Sequence, residues 1–349
     1  MFKKLLLGLI SGLFTLLLLA GLALMGLKWY GDQPLSPSDS DVELELTIAQ
    51  GDSLIRVANR LAEHGWLEYP ELFVLMARVD QVAGDIHAGD YLVPAGISKR
   101  QLLSMFISGQ IRYYDVTLVE GQALADALNT LNNHEKLQSP MDEKAMAQLL
   151  ADLEISGNPE GMFYPDTYFF HAGASVESIL RRSRTRLEEV LAEEWKNRSE
   201  DLPLKTPYEA LVMASVIEKE TGAVFERPDI AGVFIRRLQK RMRLQSDPTV
   251  IYGMGDRYEG RLNRRMLREK TPYNTYTNFG LPPTPIALVG RDAINAALNP
   301  AEGATLYFVA KGDGTHFFSE TLAEHNRAVR KYQIVERRED YRSTVESQR

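Results

Sequence analysis

The sequence of 349 residues contains no cysteine. That absence excludes a disulfide framework, cysteine-ligated zinc, iron–sulfur clusters and thiol nucleophiles. Positive charge is not in excess either: 40 Lys+Arg against 47 Asp+Glu leave a formal charge of −7, which argues against a dedicated nucleic-acid binder. Strong compositional bias is missing as well. With 25 Gly, 16 Pro and 9% aromatic residues the chain is neither collagenous nor wholly disordered, and its length suits about two domains with cores of their own.

Charge is absent over one long run, Leu5 to Leu27. A membrane span needs roughly 20 apolar residues, so this run predicts a retained anchor at 5–27. Lys3 and Lys4 precede it in a four-residue tail, and Lys28-Trp29-Tyr30 follow as an interfacial belt. The positive-inside rule then keeps residues 1–4 cytoplasmic and exports everything beyond Tyr30, into the periplasm or an equivalent compartment outside the inner membrane. The alternative is a cleaved signal peptide ending near Gly21-Leu22-Ala23, but such segments carry an apolar stretch of only ~7–15 residues. Either reading sets ATP-driven chemistry and nucleic-acid partners aside.

The polar stretch Gln33–Asp41 (QPLSPSDSD) predicts a linker at 28–41. Beyond it the chain repeats itself: TIAQGDSLIRVANRL (Thr47–Leu61) aligns with TLVEGQALADALNTL (Thr117–Leu131), and YLVPAGIS (Tyr91–Ser98) with YFFHAGAS (Tyr168–Ser175). Two strand–helix–strand–helix units are expected, at about 42–110 and 115–195. The first, from Ile48 to Leu61, resembles the opening strand and helix of LysM modules, which bind glycans containing N-acetylglucosamine. The plain alternative is a small α/β unit whose Gly51 and Asp52 only form a turn.

Further on, Thr206-Pro207-Tyr208-Glu209 has the form of a capping box with proline in the first turn, launching a helix up to Thr221-Gly222. No charge interrupts Ala210–Ile217, so that helix must be buried nearly all round. A second helix, about Asp229–Met242, is amphipathic, with Arg236, Arg237, Lys240 and Arg241 expected on its solvated face. Glu218 ends the apolar stripe of the first helix. Burial and the negative helix end both raise a carboxyl pKa, which suits a general acid; the alternative is that Glu218 emerges into solvent beside Lys219 and Glu220.

The blocks EGMFYPDTYFF (160–170), ASVIEKET (214–221), LQSDPTVIYG (244–253), TPYNTY (271–276), GLPPTPI (280–286) and the run DGTHFFSETLAEHN (313–326) together resemble the endolytic murein transglycosylases, the MltG or YceG-like family. The resemblance implies that Glu218 is the catalytic acid. It also implies a reaction that needs no cofactor: Glu218 protonates the glycosidic oxygen, then as carboxylate takes the proton of the muramyl 6-hydroxyl as that oxygen attacks the anomeric carbon. A hydrolase would use a second carboxylate, for which Asp247 and Asp166 are candidates. Gln245, Ser246, Asp247 and Thr249, read as a turn before Pro248, and Tyr273, Asn274 and Tyr276 are candidate glycan contacts. Asp313, His316, Glu324 and His325 invite a metal reading, but their spacing fits no standard zinc motif, so no metal is expected.

The whole therefore reads as an α+β chain: an N-terminal transmembrane helix, a LysM-like α/β unit at 42–110, a mixed α/β catalytic region at 111–335 and a charged tail at 336–349. Its expected partners are peptidoglycan strands and the membrane, with peptidoglycan synthases implied by the resemblance. Arg227–Lys270 carries a net +7, suited to muramyl or stem-peptide carboxylates and to anionic headgroups. Two rivals stand: a two-carboxylate muramidase pairing Glu218 with Asp247, and a non-catalytic glycan-binding scaffold that recruits synthases.

Overall fold

The computed structural model describes residues 2–35 and 43–338. It is a mixed α/β structure whose described strands pair only two by two, so helices supply most of the packing. The chain divides into two compact units, one running to Tyr114 with Phe169–Gly173 added, the other comprising Asp115–Tyr168 and the chain from Ala174 onward.

In order, the elements that open the chain are α1 (Phe2–Asp32), β1 (Leu44–Ile48), α2 (Leu54–Glu63), α3 (Pro70–Val79), β2 (Gly89–Val93), α4 (Lys99–Ser108) and β3 (Tyr113–Thr117). The stretch Leu6–Asp32 of α1 is long and apolar enough to cross a membrane, and its apolar side chains from Leu6 to Met25 are exposed. β1 and β2 pair antiparallel, Leu44 opposite Val93 and Ile48 opposite Gly89. Alternation along β1 buries Leu46 and Ile48 and exposes Glu45 and Thr47. Gly89 has φ +147°, and a Cβ there would lie 2.6 Å from Ile111, so both backbone and space demand glycine.

The expected linker at 28–41 is only partly a linker. α1 continues to Asp32, Tyr30 and Leu35 are buried in the core of this unit, and the Lys99 ammonium donates to the Pro34 carbonyl at 2.7 Å. Leu35 and Lys99 donate backbone N–H groups to Ile97 and Gln33, an edge pairing that composition could not reveal. Burying Leu35 alone contributes about 1.5–3 kcal/mol. The remainder of that predicted linker, 36–41, and the tail beyond 338 lie outside the described residues.

The same element order then recurs: β3, α5 (Leu124–Asn132), α6 (Glu143–Asp152), β4 (Thr167–His171) and α7 (Val176–Lys196), with β3 and β4 sharing a sheet. Each set of elements has one helix, α3 or α6, more than a strand–helix–strand–helix unit. Next come α8 (Pro207–Glu220), α9 (Arg227–Gln239), α10 (Asp247–Met254), α11 (Arg291–Leu298), the hairpin β5 (Tyr307–Ala310) and β6 (His316–Ser319), and α12 (Leu322–Val329).

Helix α8 is the centre of the second core. Thr206 accepts the Glu209 N–H and Pro207 fills the first turn, so the start is set locally, although the Glu209 carboxylate accepts from Lys205 rather than closing a reciprocal box. Every residue from Ala210 to Glu218 is buried, against α11, α9, α7 and α10. On α9, Arg236 and Arg237 are not the solvated face expected of them. Arg236 donates to the carbonyls of Thr305 and Ala301, and Arg237 to those of Leu306 and Leu244, because the hairpin and its approach leave carbonyls that only long cations reach. Phe234 is 1% exposed and meets Phe308 edge-on at 5.7 Å, joining α9 to β5. Phe234→Ala should therefore cost about 3–5 kcal/mol, read as a lower urea midpoint at unchanged slope.

Candidate active site

Two glutamates close α8, and at about 100° per residue their side chains leave the helix roughly 200° apart. They consequently meet different neighbours. Glu218 turns toward α9 and the start of α11. Arg227 donates to its Oε1 at 2.5 Å and the Gly290 N–H to its Oε2 at 3.2 Å. The pair is dry: the side chains of Arg227 and Glu218 are 5% and 4% exposed. Glu120, half exposed, lies 3.5 Å from the same guanidinium nitrogen. Burial pushes the Glu218 carboxyl up to about 7, opposed by the charge of Arg227 and assisted by that of Glu120.

Glu220 turns the other way, into a cleft of about 500 Å³ that it lines with Arg237, Gln245, Asp247, Tyr276, His316 and His325 among others. Its Oε1 is buried without a hydrogen-bond partner. Burial pushes this carboxyl up to about 7; the Ser246 hydroxyl and the charge of Arg237 pull it down, and the charge of Asp247 pushes it up. Among the described residues no cation pairs with it in the way that Arg227 pairs with Glu218. The result is a carboxyl of raised pKa that lines the cleft, one of the conditions for proton transfer to a ligand.

Around Glu220 the chain is folded tightly. Gln245 adopts a left-handed φ of +55° and donates its N–H to the Thr275 carbonyl, which turns the chain into α10. Asp247 begins that helix rather than sitting in a turn, with Pro248 behind it, and its Oδ1 accepts the Tyr276 hydroxyl at 2.6 Å. Burial, then Asp247, raises the Tyr276 phenol, keeping it a donor. Arg237 spans the floor, its guanidinium 5.1 Å from the Tyr307 ring. Burial lowers its pKa and, with the nearby Arg237 charge, that of His325 too. His325 stacks on Tyr307 at 5.3 Å, and its Nδ1 is buried without a partner.

Of the expected glycan contacts, Gln245, Asp247 and Tyr276 line the cleft. Ser246 stands at its edge as a buried neighbour of Glu220. Thr249 is fully buried and bonds Ser246 O and the Thr275 hydroxyl. Asn274 is buried too, holding the loop by donating to the Glu269 carbonyl and accepting the Tyr276 N–H. Tyr273 bonds Thr284 and packs on Tyr252, and Asp166 is exposed and accepts its neighbour's N–H, so neither belongs to the cleft lining. The four residues with a metal reading separate: Asp313 closes the hairpin turn on Thr315, Glu324 caps α12, and His316 pairs with Glu226 at 2.8 Å while His325 stacks on Tyr307. Arg237, His316 and His325 enter the cleft from segments far apart in the chain, and Glu220 reaches it by helical phase. Only its place two residues after Glu218, on the opposite face, offered a signal.

The dry Glu218–Arg227 pair generates a direct test. Arg227→Met should leave a buried carboxyl without its cation and cost about 3–5 kcal/mol, whereas adding Glu218→Gln should recover much of that loss. A double-mutant cycle in urea measures it, and additive losses would show that the two do not act as a pair.

The sequence profile of the YceG-like family matches residues 46–331. An endolytic murein transglycosylase of Bacillus subtilis (strain 168) is 31% identical over 328 residues, covering 87% of this chain and 89% of that protein. A protein of the same name from Streptococcus pneumoniae serotype 2 is 26% identical over 362 residues, covering 92% of this chain and 64% of its own length. In three dimensions the chain is similar to the crystal structure of a YceG-like protein from Listeria monocytogenes, at TM-score 0.50 and 27% identity over 82% of this chain and 99% of that one. With its match running from β1 to just beyond α12, the chain belongs to the YceG-like family.

Proposed function

We propose that the chain is a membrane-anchored lytic transglycosylase that cuts the β-1,4 bond between N-acetylmuramic acid and N-acetylglucosamine inside peptidoglycan strands, leaving 1,6-anhydro ends and so terminating or releasing nascent strands. The names of the Bacillus and Streptococcus relatives support the activity, and the apolar α1 supports an anchor with the units outside the inner membrane. One observation carries the site: Glu220 presents a carboxyl of pKa about 7, without a cationic partner, to a cleft also lined by Asp247 and Tyr276. We propose Glu220 for the acid–base role that the family resemblance gives to Glu218, and the two stand as rival assignments that the variants below separate. Glu218 has its oxygens engaged by Arg227 and the Gly290 N–H, which makes its proton hard to deliver to a sugar.

In this reading protonated Glu220 gives its proton to the glycosidic oxygen as the bond to the anomeric carbon breaks. The resulting carboxylate removes the proton of the muramyl 6-hydroxyl, whose oxygen closes on the anomeric carbon. The proton balance returns to its start, and water is not consumed. Asp247, oriented by Tyr276, supplies negative charge to the oxocarbenium-like transition state, and Gln245 and Arg237 offer donors to N-acetyl or lactyl oxygens. The order β1–α2–α3–β2 supports a LysM-like first unit, which would hold N-acetylglucosamine. Synthase partners rest on the family resemblance alone.

Because Asp247 shares the cleft with Glu220, a two-carboxylate muramidase is the second reading. Its products differ: cleavage in ¹⁸O-water should place no label on the new muramyl end of a transglycosylase, whereas labelled reducing ends would establish hydrolysis.

Glu220→Gln should lower cleavage of isolated strands by about 10²–10⁴-fold with folding intact, while a folded Glu218→Gln protein should keep most of its activity. The reverse pattern would return the role to Glu218. Proton donation requires protonated Glu220, so kcat/KM should fall as pH rises through about 7, approaching tenfold per unit above it. A flat profile from about one unit below that pKa to about two units above it would remove Glu220 as the acid.

A further inference from the structure

Helix α3 has an apolar face that the first core does not use. Phe73, Val74, Met76 and Ala77 are buried, while Leu72, Leu75 and Val79 are 38%, 47% and 46% exposed. At about 100° per residue those three lie within an arc of roughly 60°, opposite the buried side, with Glu71 and Arg78 on one flank. Tyr69, which precedes the helix, is half exposed as well.

The same helix is fastened to the end of α1. The Tyr30 hydroxyl donates to the Tyr69 carbonyl at 2.8 Å, a Cβ on Gly31 would lie 2.6 Å from the Met76 sulfur, and Arg100 bridges Asp32 and Asp80. Tyr30 and Gly31, neighbours on α1, thus meet Tyr69 and Met76, about 10 Å apart along α3, while Asp80 is joined to Asp32 through Arg100 of α4. Side chains reaching from so short a stretch of α1 to that length of α3 point to a crossing of the two helices rather than a side-by-side packing. If α1 stands across a bilayer, α3 lies near its plane, level with the point where α1 leaves the apolar region. Trp29, 67% exposed, precedes that point by one residue.

We infer that α3 is an interfacial helix whose Leu72–Leu75–Val79 face, with Tyr69 and Trp29, rests at the headgroup–acyl boundary of the bilayer that α1 crosses. The occupant is lipid because α3 is fastened to the end of a helix whose apolar side chains, Leu24 and Met25 among them, are exposed, and because the exposed Tyr69 and Trp29 are the residue types of membrane interfaces. Glu71 and Arg78 remain in the headgroup water on the flank. Anchor and α3 together fix the tilt and height of the first unit over the membrane, which a flexible tether would leave free. This inference rests on the anchor reading of α1.

The absence of cysteine allows single labelling sites in the full chain. Leu75→Cys, Glu63→Cys on α2 and Leu18→Cys in α1 are each coupled to an environment-sensitive fluorophore and reconstituted in phosphatidylcholine–phosphatidylglycerol bilayers. Lipids carry a nitroxide either near the top or at the middle of the acyl chain. The expected result is quenching at Leu75, stronger from the shallow nitroxide, matching a depth of about 5–10 Å. Leu18 should be quenched more by the deep nitroxide, and Glu63 by neither. Quenching at Leu18 without quenching at Leu75 overturns the interfacial role and leaves the anchor standing. Absence of quenching at both sites removes the anchor as well. Protection of Leu75 from a water-soluble quencher without lipid quenching assigns the face to a protein partner and likewise overturns the inference.

Discussion

The all-round burial of α8 from Ala210 to Glu218 is the constraint on which the second unit depends. A helix without a solvated face can end only by disposing of its last polar side chains inside protein, and here there are two carboxyls to place. Leaving an ionised carboxylate unpaired in such surroundings costs several kcal/mol, so each needs a cation, hydrogen bonds or a proton. Arg227 at the start of α9 and the Gly290 N–H at the start of α11 meet this need for Glu218. Those contacts also tie together three helices of the core.

Glu220 is treated differently, and the difference is chemical rather than architectural. Both carboxyls are raised to about 7 by burial, yet one has its oxygens occupied and the other keeps a buried oxygen free beside a cleft. A raised pKa alone marks a buried acid. A path for the proton is the further requirement for an acid that works on a ligand, and Glu220 lines a cleft of about 500 Å³. Arg237 contributes to that asymmetry: held by the carbonyls of Leu306 and Leu244, it lies near Glu220 without forming an ion pair with it.

In the first unit the equivalent organising contact is the docking of the α1 end. Tyr30, Leu35 and Lys99 convert what composition presents as the beginning of a polar tether into part of a core. A membrane-crossing helix continued into a packed domain transmits orientation, whereas a flexible linker transmits only distance. The exposed apolar side of α3 acquires its meaning from that docking, since the same residues on a freely tethered unit would face water.

Much of this was legible in the chain itself. The charge-free run predicted α1, and the Thr206-Pro207 start, the charge-free Ala210–Ile217 stretch and Thr221 predicted the bounds and burial of α8. The motif blocks pointed to the family. These features are local: hydrophobic period, capping and turn chemistry act over a few residues, so sequence alone determines them. Tertiary structure decided the rest. Whether Arg237 is solvated or bound to carbonyls, whether Leu35 is tether or core, and which of two glutamates in one short motif meets Arg227 depend on partners 7 to 69 residues away in the chain. Those contacts are set by how helices pack, and nothing in the order of residues along α8 states which side of it will face a cation and which a cleft.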